Sequence, residues 1–142
     1  LCLSELAKRL SKASAEEELN FNSPESIARY YMEDLRHEKQ EYMKLLLLNT
    51  KTKLIGETII SKGTVNAAII SPRELFIEAL QKGAVSIILL HNHPSGDPTP
   101  SKEDIIITKQ IQKAGELLGV NLLDHIIIGN NCYVSMREKK LF

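Results

Sequence analysis

The stretch that most constrains this chain is an apolar run, Ala84-Val85-Ser86-Ile87-Ile88-Leu89-Leu90, ending in His91-Asn92-His93-Pro94. A loop rich in proline and glycine follows, and then Ser101-Lys102-Glu103-Asp104 opens a helical pattern. Residues i and i+2 of a strand point to one face, so His91 and His93 project together, roughly 7 Å apart at Cα. That separation suits two imidazoles closing on one zinc ion at about 2.0–2.1 Å per Zn–N bond. Asp104, in the first turn of the helix, brings a third, oxygen ligand. Three protein ligands leave a fourth position for water, the layout of a catalytic rather than a structural zinc. One Zn2+ per chain is therefore expected. Two simpler uses of these residues compete. Ser101-x-x-Asp104 has the form of a capping box, with Ser101 as N-cap and Asp104 at N3. Asp97 is a rival third ligand, but Asp in Ser-Gly-Asp-Pro is more simply a turn former.

Either side of this stretch the sequence alternates between strand and helix patterns. Leu3, Leu6 and Leu10 fall on one helical face, so residues 3–10 read as a short helix and Ser11 to Asn22 as a polar linker. Ser23-Pro24 starts a helix with Ser as N-cap and Pro at N1, and Ile27, Tyr31 and Leu35 form its buried stripe. His37 stands at its polar end as a solvent-facing residue. Residues 41–48 read as an interior strand, 49–52 as a hairpin turn, 53–60 as the return strand and 64–70 as a third strand. Ser71-Pro72-Arg73-Glu74 opens a helix that runs to Lys82 and stops at Gly83. The helix over 101–118 is expected to bury Ile105, Thr108, Ile111 and Leu118. Val120–Leu123 and His125–Ile128 read as short strands around Asp124, Cys132–Ser135 as the last strand, and 136–142 as weakly helical. Hairpin-paired strands followed by helix–strand–helix–strand predict an α/β chain with a mixed sheet and helices on both sides.

The order His-x-His-Pro, six residues, Ser-x-x-Asp resembles the JAMM motif of MPN/JAB-type metalloproteases. The fuller text His91 to Asp104 is more narrowly similar to the RadC family of bacterial proteins. Gly63-Thr64-Val65-Asn66, Ser71-Pro72-Arg73-Glu74 and Leu123-Asp124-His125 extend the resemblance over residues 23–142. It implies an α/β/α sandwich related to the cytidine deaminases and a zinc held by His91, His93 and Asp104. It also implies a general base immediately before an early apolar strand, the place Glu41 occupies. Glu57 is a mid-strand rival, and Glu74 already serves a helix cap. Relatives place the Ser in the site, so Ser101 would steady an oxyanion as well as cap the helix. Asp124 and His125 read either as outer support for a ligand or as a buried polar pair. The implied reaction is hydrolysis of a peptide or isopeptide bond in an unknown protein or peptide substrate. Relatives usually carry an N-terminal helical domain, of which residues 1–22 would be a remnant helix plus linker.

Composition limits the alternatives. The 142 residues include 18 Lys+Arg and 18 Asp+Glu, a formal net charge of zero, so no basic stripe supports autonomous nucleic-acid binding. DNA repair, which the family name suggests, would then depend on a further domain. A non-catalytic scaffold is disfavoured because every motif position is intact. A zinc nucleobase deaminase needs His-x-Glu with Pro-Cys-x-x-Cys, whereas Cys2 and Cys132 have no such spacing. The two cysteines are expected as free thiols in a reducing, cytoplasmic setting. Nothing in the sequence predicts a membrane span.

Overall fold

The computed structural model describes residues 2–17, 19–63 and 70–142. The elements in chain order are α1 (Leu3–Glu17), α2 (Pro24–Leu35), β1 (Tyr42–Leu48), β2 (Leu54–Lys62), α3 (Pro72–Gln81), β3 (Ser86–Asn92), α4 (Lys102–Leu118), β4 (Asn121–Ile128) and β5 (Tyr133–Ser135). The five strands form one sheet in the order β2-β1-β3-β4-β5. Among the described strands only β3 and β4 run parallel, joined by the α4 crossover; the other pairs are antiparallel. This is the mixed α/β architecture expected, with a core on each side of the sheet.

Side chains alternating along β1 and β3 build the two cores. Met43, Leu45, Leu47, Ile87 and Leu89 face α3 and α4, where Leu75, Phe76, Ile107 and Ile111 meet them. Leu46, Leu48, Ile88 and Leu90 face α2, where Ile27, Tyr31 and Leu35 meet them. Central strands buried on both faces read as near-continuous apolar runs, which is why Leu45–Leu48 and Ile87–Leu90 do not alternate in the sequence.

Three local expectations are corrected, and one lies outside the described residues. The first helix continues to Glu17 through the stretch expected to be linker. It persists because it docks on α2, with Lys12 Nζ 2.6 Å from Asp34 Oδ2 and Ala15 buried. In α4 the buried positions are Asp104, Ile107, Thr108, Ile111 and Gly115; Ile105 is half-buried and Leu118 is 48% exposed. Thr108 and Ile111 are buried as expected; the stripe differs at its ends, where Asp104 rather than Ile105 and Gly115 rather than Leu118 turn inward. Residues 120–128 form one strand instead of two. Its register against β3 shifts where Ile87 pairs with Leu122 and Ile88 with Asp124, leaving Leu123 as an inserted residue. Such a bulge bends and re-aims a strand without ending it. The strand expected over 64–70 falls almost wholly outside the described residues.

Candidate metal centre

β3 carries both histidines because its ladder with β4 extends past the strand end, the His93 N–H donating to the Ile128 carbonyl at 2.9 Å. His91 is 1% exposed and lies on the α4 face. The loop after Pro94 is pinned from the β4–β5 turn. The Asn130 N–H donates to the Gly96 carbonyl at 2.9 Å, and the Cys132 thiol lies 3.5 Å from the same oxygen. A side chain at Gly129 would collide with that carbonyl, its Cβ falling 2.3 Å away, so only glycine lets turn and loop touch. The loop delivers Ser101 to the N-terminus of α4, where the capping box is complete. The Asp104 N–H donates to Ser101 Oγ at 3.1 Å and the Ser101 N–H donates to Asp104 Oδ2 at 2.7 Å.

Four of the expected site residues converge. Ligand atoms of Glu41, His91 and His93 all lie within 4.8 Å of one another. Asp104 Oδ1 is 3.4 Å from His91 Nδ1, and Asp104 Oδ2 is 3.3 Å from His93 Nε2. His93 Nδ1 is 2.8 Å from the Asp97 carbonyl, which can only accept, so this nitrogen carries the proton. Nε2 is then the ring atom turned to Asp104. Asp97 therefore serves the centre through its carbonyl, while its carboxylate accepts from the Thr99 N–H and hydroxyl. Glu57 sits elsewhere. It accepts from the Tyr31 hydroxyl at 2.6 Å and pairs with Lys44 at 3.5 Å, in register with Leu46 on the α2 side.

Charge at the centre is arranged for cation binding. Burial holds the His91 imidazole at about 4, against a smaller opposing pull from Asp104, so the ring is neutral and its lone pair available. The hydrogen bond with Asp104 raises His93. Burial alone would raise the Asp104 carboxyl. The hydrogen bond with His93 and those with Ser101 bring it well below the usual carboxylate range. Both ring nitrogens of His91 are buried without a hydrogen-bond partner, an arrangement that costs free energy unless something binds there. A carboxylate facing two imidazole nitrogens at 3.3–3.4 Å asks for a proton or a cation between them. The donor set of imidazole nitrogens and carboxylate oxygens fits a zinc-type ion.

The remaining candidates divide. His125 is brought to the centre, its ring stacked on His91 at 5.6 Å. Its Nδ1 lies 2.7 Å from Thr108 Oγ1, whose proton goes to the Asp104 carbonyl, so His125 donates to Thr108. Burial pushes this imidazole down to about 3. Asp124 points to the α2 side and ties the C-terminal turn. Its carboxylate accepts from the His125 and Arg137 N–H groups and from the Ser135 hydroxyl. Sequence reasoning missed Thr108 as a polar residue of the centre, having counted it as core. The signal was its spacing, one helical turn after Asp104 on the same face. An open cleft of about 480 Å³, lined by Lys39, Gln40, Glu41, Gly63, Pro94 and Ser95, gives access from the Glu41 side.

Among the described residues no helix is long and apolar enough to cross a membrane. Residues 21–141 match the RadC-like JAB domain. A UPF0758 protein of Clostridium botulinum strain Langeland is 52% identical over 141 residues, 98% of this chain and 61% of that protein. A UPF0758 protein of Carboxydothermus hydrogenoformans is 50% identical over 138 residues, 97% of this chain and 61% of that protein. The chain thus spans about 61% of the length of these curated relatives. With a match over nearly its whole length and half its residues shared with such relatives, the chain belongs to the RadC-like JAB domain family.

Proposed function

We propose that this domain is a JAMM-type zinc hydrolase that cleaves a peptide or isopeptide bond in a protein or peptide substrate. The observation that carries the reading is the convergence of Glu41, His91 and His93 within 4.8 Å, with Asp104 against both rings. His91, His93 and Asp104 would hold the ion. When bound, it polarises the scissile carbonyl and acidifies the attacking water. Glu41 faces the open cleft, where its carboxylate takes the proton from that water and returns it to the leaving nitrogen. Ser101 Oγ accepts the Asp104 N–H, and its hydroxyl proton, beside the Asp104 carboxylate, would turn to donate to a developing oxyanion. His125 and Thr108 hold the arrangement from beneath. The activity of the longer relatives as whole proteins is part of this proposal.

Metal analysis is the direct test. The purified chain from zinc-replete growth is expected to hold about one zinc per chain, removable by chelator. A metal-free protein that takes up none on titration would overturn the reading.

A further inference from the structure

The main-chain ladder between β1 and β3 ends at the pair Met43 and His91. Continuing that register would set Tyr42 opposite Asn92 and Glu41 opposite His93. At this point the side chain of Asn92 takes over from the backbone. Its Oδ1 accepts the Tyr42 N–H at 2.6 Å, and its Nδ2 donates to the Gln40 carbonyl at 3.0 Å. A primary amide offers a donor and an acceptor in one plane, as a peptide group does. The two bonds therefore act as one more rung of the sheet, and they grip the main chain on either side of Glu41. The Glu41 carbonyl is taken up separately, by the Gly63 N–H at 2.8 Å.

Packing does not call for an amide here. Ile88 and Leu90, on the same face of β3, are buried apolar residues of the α2-side core. Asn92 is buried with them, at 1% exposed, and a buried amide is costly unless both of its ends are bonded. Both are, and among the described residues their partners are the two groups that flank Glu41. Asn92 also stands between His91 and His93 on one strand end. Whatever fixes Asn92 fixes both histidines and the glutamate relative to each other.

We propose that Asn92 is a positioning residue, an amide clamp that holds Glu41 where its carboxylate meets the ring nitrogens of His91 and His93. This rests on the metal-hydrolase reading above. Asparagine is specific for the task. Aspartate has the same shape but only accepts, so Asn92→Asp keeps the Tyr42 bond and sets an oxygen against the Gln40 carbonyl. Serine is too short to span both groups.

The test uses Co2+ as a spectroscopic probe on the parent, Glu41→Gln, Asn92→Asp, Asn92→Ser and the Glu41→Gln/Asn92→Ser double variant. Affinity, visible absorption and thermal melting are measured for each. Both Asn92 variants should melt cooperatively and shift the Co2+ absorption in the direction Glu41→Gln shifts it. They should weaken Co2+ binding by up to about tenfold, and no more than Glu41→Gln does. In the Glu41→Gln background, adding Asn92→Ser should change affinity by less than about twofold, since residues acting through one group are not additive. Parental affinity and spectrum in Asn92→Ser would overturn the clamp. So would an equal loss with and without Glu41→Gln, which would make Asn92 a residue of strand pairing alone. A parent that takes up no Co2+ overturns the hydrolase reading itself, and the clamp with it, an outcome distinct from the other two.

Discussion

His93 illustrates how one side chain is committed to one use. The Asp97 carbonyl accepts the Nδ1–H, and the ring then offers Nε2 toward Asp104. Asp104 is committed in the same way, since Oδ2 accepts the Ser101 N–H while Oδ1 faces His91. These roles predict different failures for the two carboxylates. Asp104→Ala removes a proposed ligand and half of the capping box, so zinc content should fall and stability drop by on the order of 1 kcal/mol. Glu41→Gln keeps the shape but cannot take a proton. Loaded zinc should stay near one per chain while single-turnover peptide cleavage slows by about 10²–10⁴-fold. Cleavage at the parental rate would remove Glu41 from the mechanism, and a chain left empty at saturating zinc would make it a ligand. Beneath them, Thr108→Val strips the acceptor from the His125 Nδ1–H, which is fully buried. Leaving that donor unpaired should cost about 1–3 kcal/mol in denaturant unfolding; a variant as stable as the parent would show that the Thr108–His125 bond contributes little.

The elements place these residues, and α4 does most of it. Its first turn supplies Asp104, its second Thr108, and its C-terminal half carries Gly115 against the start of β4. A Cβ at Gly115 would fall 2.2 Å from the Val120 carbonyl oxygen, a backbone atom that cannot swing aside. In an exposed helix, exchanging glycine for alanine gains about 1 kcal/mol. Here the close approach wins, and Gly115→Ala should destabilise by roughly 1–3 kcal/mol through overpacking. A rise in melting temperature would show that α4 can shift away from β4 at little cost. At the other end of the chain, α1 is held by half-buried but solvent-accessible ion pairs to Asp34, Lys12 at 2.6 Å and Lys8 at 3.7 Å. Such pairs contribute little individually. Asp34→Ala should therefore cost less than about 1 kcal/mol, measured by the same unfolding.

For the molecule as a whole, the proposed metal would be a ligand of the folded state. The unpaired nitrogens of His91 are buried only when β1, β3, α4 and the 94–100 loop are assembled. Zinc at about 100 times its dissociation constant should add about 2.7 kcal/mol of stability, and chelator should remove it. A melting temperature indifferent to chelator would separate the centre from folding. The balanced charge of 18 basic and 18 acidic residues leads to a second expectation. DNA binding by this domain should be weak and fall steeply with salt. Tight binding at physiological salt in a gel-shift experiment would reveal a concentrated patch that the net charge conceals.

What the chain determined by its sequence alone was local. Two histidines at i and i+2 on a strand share a face whatever surrounds them, and Ser101-x-x-Asp104 begins a helix by chemistry confined to four residues. Those short-range rules carried the mixed α/β reading, the choice of His91, His93 and Asp104 as residues that meet, and the caps of α2, α3 and α4. What the tertiary structure alone decided depends on register between strands far apart in the chain. The inserted Leu123 is the clearest case. A strand's side chains alternate with period two, so one extra residue flips every position after it. Pairing with β3 is what sends Asp124 to the α2 side and His125 under His91. In the same way, Asn92 is one polar letter between two histidines until β1 lies beside it, and only then does its amide find the two peptide groups that flank Glu41.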